Sequence, residues 1–194
     1  MFYQISNHLS DALVARHTIR KDDKDIYQFG IQQGFTIAFN LLTTLVIGAL
    51  FQMIWEGFVF LAVYIPLRIF AGGIHAKTPI RCYIYSIGMI IAVLLIITFF
   101  PLGMLICNCL SFASGCIIFF LSPVETDHKK LDRKERQVYQ KRARMILIIE
   151  LAIQFLLSWT DLCHLRMCFS LALLSSAIVI VAGALKNRIQ LHNN

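Results

Sequence analysis

Six apolar runs, divided by short polar connections, dominate this chain. They cover about 29–53, 55–70, 82–100, 102–121, 145–159 and 167–185. Runs of this length and spacing are long enough to cross a hydrocarbon core about 30 Å thick, which takes ~20 helical residues. Lipid offers no hydrogen-bond partners, so such runs fold as helices that satisfy their own backbones. The expectation is therefore an all-α polytopic membrane bundle with about six transmembrane helices. The runs at 55–70 and 145–159 are short, and each must extend into neighbouring polar residues or be partly re-entrant.

Composition agrees with this. The 194 residues are 58% hydrophobic with mean hydropathy +0.69, above the roughly half-apolar balance of a soluble domain. A single integral membrane domain, 1–194, is expected, since the length leaves no room for a soluble one. Residues 1–20 mix polar and apolar side chains and do not read as a cleaved signal peptide. Phe2, Ile5, Leu9, Leu13 and Arg16 recur at helical spacing. An amphipathic helix, either on the membrane surface or packed on the spans, fits this pattern.

The net charge of +7 would suit nucleic acid, but its distribution argues otherwise. Every Lys and Arg except Arg166 lies near the N-terminus, between Arg68 and Arg81, between Lys129 and Arg144, or in the tail at Lys186 and Arg188. Alternate connections are thus basic. That pattern places both termini and the 72–82 connection in the cytoplasm, with the bilayer as partner and no nucleic acid. The longest polar segment, 122–144, reads as a solvated loop, and its alternating charges suggest a helix leading into the fifth span. Its positive charge could steer an acidic substrate.

One connection holds chemistry. "GGIHAKTPIRC" runs from Gly72 to Cys82. Thr78 is a good helix N-cap and Pro79 suits the first helical position. Cys82 then becomes the fourth residue of a helix. The positive end of the helix dipole and Arg81 both favour its thiolate, the nucleophilic form. His75 can take a proton and return it to a leaving amine. Gly72 and Gly73 permit close backbone approach. Against this, an interfacial His and a Cys at a helix start also occur without catalysis. Zinc requires three or four ligands, and His8, His17 and His128 are poorly spaced to complete a set, so no metal and no cofactor is expected. The other five cysteines, Cys107, Cys109, Cys116, Cys163 and Cys168, read as small buried hydrophobes. Of the polar groups in the spans, Arg68 could snorkel, bind a carboxylate or orient the loop, and Glu150 could pair with a loop cation.

The run "RIFAGGIHAKTPIRC", with "SPVETDHKK" after the fourth span, resembles the AgrB family of membrane cysteine endopeptidases. The resemblance implies that His75 and Cys82 are catalytic and that Arg68 is the family's motif arginine. It implies a small AgrD-like propeptide as substrate, cleaved through a Cys82 thioester and cyclised to a thiolactone or lactone quorum-sensing signal. Gly72, Gly73, Lys129 and Lys130 are expected to support the site or meet the propeptide, and a homodimer is admitted. The alternative classes are a small transporter or exporter and a signalling scaffold.

Overall fold

In the computed structural model, the described residues are 2–16, 18–73, 79–124 and 132–192. Among them are seven α-helices and no named strand: α1 (Phe2–Ala15), α2 (Lys24–Leu50), α3 (Ile54–Ala71), α4 (Pro79–Phe99), α5 (Met104–Leu121), α6 (Arg133–Leu157) and α7 (Cys163–His192). A single 3-10 turn, Lys21–Asp23, precedes α2. The all-α expectation is met. The chain separates into two compact units, Met1–Thr43 and Thr44–Asn194.

In the first unit, α1 buries Ser6 and Ser10 completely and leaves Ile5 and Leu9 exposed. Two apolar residues of the stripe read from the sequence are thus exposed, as in a helix that lies in a membrane interface. Lys24 Nζ meets Asp11 Oδ1 at 2.5 Å and joins the start of α2 to α1. The pair is partly exposed, so its contribution is at most about 1 kcal/mol.

The second unit is built around α7. Its most apolar window is 56% buried, against 33% for α3 and 28% for α5, so α7 is the central helix and the others surround it. One apolar cluster joins Phe60, Leu94, Ile97, Cys107, Met167 and Cys168. A second joins Leu67, Ala71, Ile118, Val124, Leu147 and Leu173. Large apolar side chains on the outer faces, including Leu105, Phe112, Phe120 and Trp159, stay exposed. Lipid covers such faces in a membrane.

Helix directions follow from contacts near the helix ends. His164 Nδ1 lies 3.1 Å from Glu56 Oε1, at the starts of α7 and α3. Ser170 Oγ donates to the Cys107 carbonyl, so α5 also starts at that end. By contrast, Thr98 near the end of α4 reaches Met53, just before α3. Ser158 near the end of α6 donates to Asn108 near the start of α5. Helices α3, α5 and α7 therefore run one way, and α4 and α6 the other. That is the alternation a serpentine membrane chain requires.

Among the described residues, four helices are long and apolar enough to cross a bilayer: Lys21–Leu50, Ile54–Ala71, Met104–Leu121 and Cys163–Ile189. Helix α4 carries a shorter apolar stretch, Tyr83–Phe99. The run at 145–159 is short because it is only half of a helix. The 25-residue α6 begins at Arg133, so the charged segment before Met145 is helical and continuous with it. Glu150 is only 6% exposed, and its Oε2 has no hydrogen-bond partner among the described residues. The expected pairing with a loop cation is not seen at that oxygen.

The helix directions generate a cross-linking prediction. With the native cysteines replaced, Asn108→Cys together with Ser158→Cys should form a disulfide, because the two native side chains meet at 2.9 Å. Asn108→Cys with Arg144→Cys should not. Residue 144 lies 14 positions back along α6, about 21 Å at the helical rise. Gel mobility under non-reducing conditions reads both outcomes.

Candidate active site

The glycine turn at the end of α3 is held on three sides. Arg68, in the last turn of α3, donates from Nη1 to the Gly72 carbonyl at 2.5 Å. A cation at a helix C-terminus also sits favourably in the field of the peptide dipoles. Gly72 caps the helix with φ +74° and Gly73 follows at φ +115°, backbone conformations that side chains with a Cβ avoid. Beyond Gly72 lies Val124, just past the end of α5. Its N–H donates to the Ala71 carbonyl at 2.9 Å, and Gly72 and Val124 pair as a parallel bridge. A Cβ on Gly72 would collide with the Val124 carbonyl oxygen. On the third side, a Cβ on Gly73 would lie 2.7 Å from Arg68 Nη1 and 2.9 Å from the Val179 oxygen of α7. Only glycine fits at either position.

The same end of the bundle holds the start of α4. The helix begins at Pro79, as the Thr78-Pro79 signal predicts, which makes Cys82 its fourth residue. The first turn of an α-helix has N–H groups with no partner inside the helix and lies at the positive end of the dipole. His75, Lys129 and Lys130 lie outside the described residues, as does the Cys82 side chain. In sequence, His75 lies two residues after Gly73, and Lys129 and Lys130 lie five and six residues after Val124.

The basic half of α6 packs on this framework. The Arg142 guanidinium lies 5.4 Å from the ring centre of Phe70, and that ring stacks obliquely with Tyr139 at 5.8 Å. The Arg144 guanidinium lies 4.2 Å over Phe119, and its Nη2 lies 3.5 Å from the Phe119 carbonyl oxygen. Cation–aromatic contacts of this kind each contribute about 0.5–2 kcal/mol. They fix positive charge beside the ends of α3 and α5. Among the described residues no group of three or more His, Cys, Asp or Glu could hold a metal.

Sequence reasoning identified Arg68, Gly72 and Gly73, and the structure brings them together. It missed Val124, whose contribution is main-chain and leaves no side-chain signature, and Val179, which meets Gly73 with both its main-chain oxygen and its Cγ1. The one available signal was the "SPV" turn at the end of an apolar run, which the resemblance noted without assigning it a contact.

Residues 4–181 match the family described as Accessory gene regulator B. The chain belongs to that family. An AgrB-like protein of Clostridium perfringens (strain SM101 / Type A) is 24% identical over 169 residues, covering 80% of this chain and 77% of the relative. AgrB-like protein 2 of Clostridium perfringens (strain 13 / Type A) shows the same identity and coverage. No solved structure matches the chain. Family membership together with the long apolar helices makes this a membrane protein of the accessory gene regulator system, in a family of peptidase-like processing proteins.

The turn generates a second prediction. Gly72→Ala must force Gly72 and Val124 apart, because its Cβ would meet the Val124 oxygen. The Val124 amide should then exchange its hydrogen at least about tenfold faster, since local opening sets protection. Peptide-level exchange read by mass spectrometry checks this.

Proposed function

We propose that this protein is a cysteine endopeptidase of the cell membrane that cleaves an AgrD-like propeptide and closes part of it into a ring. The observation that carries the reading is the convergence at one end of the bundle. The glycine turn that leads to His75 is locked by Arg68, Val124 and Val179, and the helix that presents Cys82 starts five residues after that turn's exit segment begins. A locked turn next to a helix N-terminus is what a nucleophile and its base require if they are to meet repeatedly in one geometry.

The chemistry follows in two steps. His75 takes the Cys82 proton, and the thiolate attacks a peptide carbonyl of the propeptide. As the C–N bond breaks, His75 delivers that proton to the leaving amine, and the C-terminal tail departs. The N-terminal part stays on Cys82 as a thioester. An internal Cys or Ser of that part then attacks the thioester carbonyl and loses its proton, which returns to Cys82. The product is a thiolactone or lactone. Main-chain N–H groups at the start of a helix such as α4 are suited to hold the oxyanion.

Orientation follows from charge. The end of the bundle with the glycine turn also holds the basic half of α6 and the tail of α7, whereas Arg166 is the only Lys or Arg near the opposite end. Basic connections stay in the cytoplasm. Both termini and the site therefore face the cytoplasm, and Lys129, Lys130 and the α6 arginines meet the propeptide. A transporter or a scaffold would leave the locked turn without a task.

The test is a cleavage assay with co-expressed propeptide. His75→Ala and Cys82→Ala should each abolish cleavage with the protein still in the membrane. Single alanine changes at Cys107, Cys109, Cys116, Cys163 and Cys168 should retain it. Cleavage by the Cys82→Ala protein would reassign the nucleophile.

A further inference from the structure

The seam between α5 and α6 buries a group of oxygens that the proposed reaction does not use. On α6, Leu147, Glu150, Gln154 and Ser158 recur three or four residues apart and are all buried, so they share one inward face. On α5 the buried residues are Cys107, Ser111, Ser114, Gly115 and Ile118. The two faces meet at both ends of this stretch. Ser158 Oγ donates to Asn108 Oδ1 at 2.9 Å, and Leu147 and Ile118 share one apolar cluster. The helices run in opposite directions, so these contacts bracket Ser111 on α5 and the Glu150–Gln154 turn on α6. Between them Gly115 brings the helices close: a Cβ there would lie 3.0 Å from Leu151 Cδ1. From α7, Ser176 lies on the stripe of Leu173, Ala177 and Ile180, which packs in the same cluster.

Four oxygens of this stretch lack partners. Glu150 Oε2, Gln154 Oε1, Ser111 Oγ and Ser176 Oγ are buried with no hydrogen-bond partner among the described residues. Their side chains belong to residues 6%, 2%, 1% and 3% exposed. Gln154 Nε2 donates to Asn108 Oδ1 at 3.4 Å, which leaves the amide oxygen as the unpaired end. Buried oxygens of this kind are costly, a carboxylate most of all. The oxygens of an ionised Glu150 and of the Gln154 amide only accept. One proton on Glu150 would serve a single acceptor, whereas a metal cation serves several at once. An all-oxygen donor set suits a hard ion. With one carboxylate it balances one positive charge, and the second charge of a divalent ion would stay uncompensated in the interior.

We propose that Glu150, Gln154 and Ser111, with Ser176 from α7, form a site for one alkali-metal cation inside the bundle. The bound ion ties α5, α6 and α7 together and steadies the helix whose basic half lies beside the glycine turn. Cys82 takes no part, so the site stands apart from the peptidase reading.

The test uses the purified full chain in lipid nanodiscs. Thermal unfolding is measured in NaCl, KCl and N-methylglucamine chloride at one ionic strength, which holds general screening constant. A ligand that binds only the folded chain raises the unfolding temperature with its concentration. The parent should unfold at higher temperature in Na+ or K+ than in N-methylglucamine, with a response that saturates. The lower half-saturating concentration identifies the ion. Glu150→Gln keeps the shape, removes the charge and should lose the response. Ser111→Ala should need about tenfold more ion for half-saturation, the loss expected for one ligand to a charged group. Equal unfolding temperatures for the parent in all these salts, or an undiminished response in Glu150→Gln, would overturn the proposal.

A second measurement uses the parent alone. Dicyclohexylcarbodiimide is apolar and reacts with buried carboxyl groups, and peptide mass spectrometry maps the product. At ten times the half-saturating concentration of the ion, labelling of Glu150 should slow about tenfold, because only the empty site reacts. Labelling at one rate in every salt is the result for a Glu150 that holds only a proton. It would overturn the proposal even if Glu150→Gln failed to fold.

Discussion

Two carbonyl oxygens at the end of α3 determine how this end of the molecule is built. The Ala71 oxygen accepts from Val124, and the Gly72 oxygen accepts from Arg68. Near a bilayer edge, a helix terminus cannot leave such groups unpaired without a cost of about 1–3 kcal/mol each. Their partners come from two different places, the helix's own last turn and the exit of α5. Satisfying the end of one helix thereby fixes the path of a connection elsewhere in the chain. The glycine turn and the position of Val124 beside it both follow from that pairing.

The rest of the second unit supports the same end. Helix α7 is the shared neighbour, and Leu173, Ala177 and Ile180 pack in one cluster with Leu67, Ala71 and Val124. Below that cluster, Asn108, Gln154 and Ser158 join α5 to α6 by hydrogen bonds. Helix α6 has two kinds of surface on one rod: an apolar half beside α5, and a basic half that reaches Phe70 and Phe119. Continuity of the helix carries the packing of the apolar half into placement of the basic half. Positive charge is thereby set rigidly next to the glycine turn.

Much of this was legible in the sequence, for identifiable reasons. Apolar runs and their punctuation located the helices, and Thr78-Pro79 located the start of α4, because both are local properties of the chain. The charged stretch from Arg133 continues α6 because its alternating charges are compatible with a helix on either side of the membrane boundary. The Gly72–Gly73 pair marked a close approach, but not its partner. Val124 contacts Gly72 through its main chain, and main-chain pairing between distant segments has no residue code. The burial of Glu150 was not legible, because position along a helix does not say which way a side chain faces. The exposure of Ile5 and Leu9 on α1 likewise depends on what surrounds the helix, which spacing alone does not specify.

The central claim is that Cys82 carries the acyl group between cleavage and ring closure. It is tested most directly by intact-protein mass spectrometry of the purified chain after incubation with a propeptide whose internal Cys or Ser is replaced by Ala. The account predicts a mass increase equal to the N-terminal fragment, mapped to Cys82 and removed by hydroxylamine, with slow release of the linear acid. Fast multiple-turnover release of linear acid with no adduct on Cys82 would contradict it and leave plain proteolysis in its place.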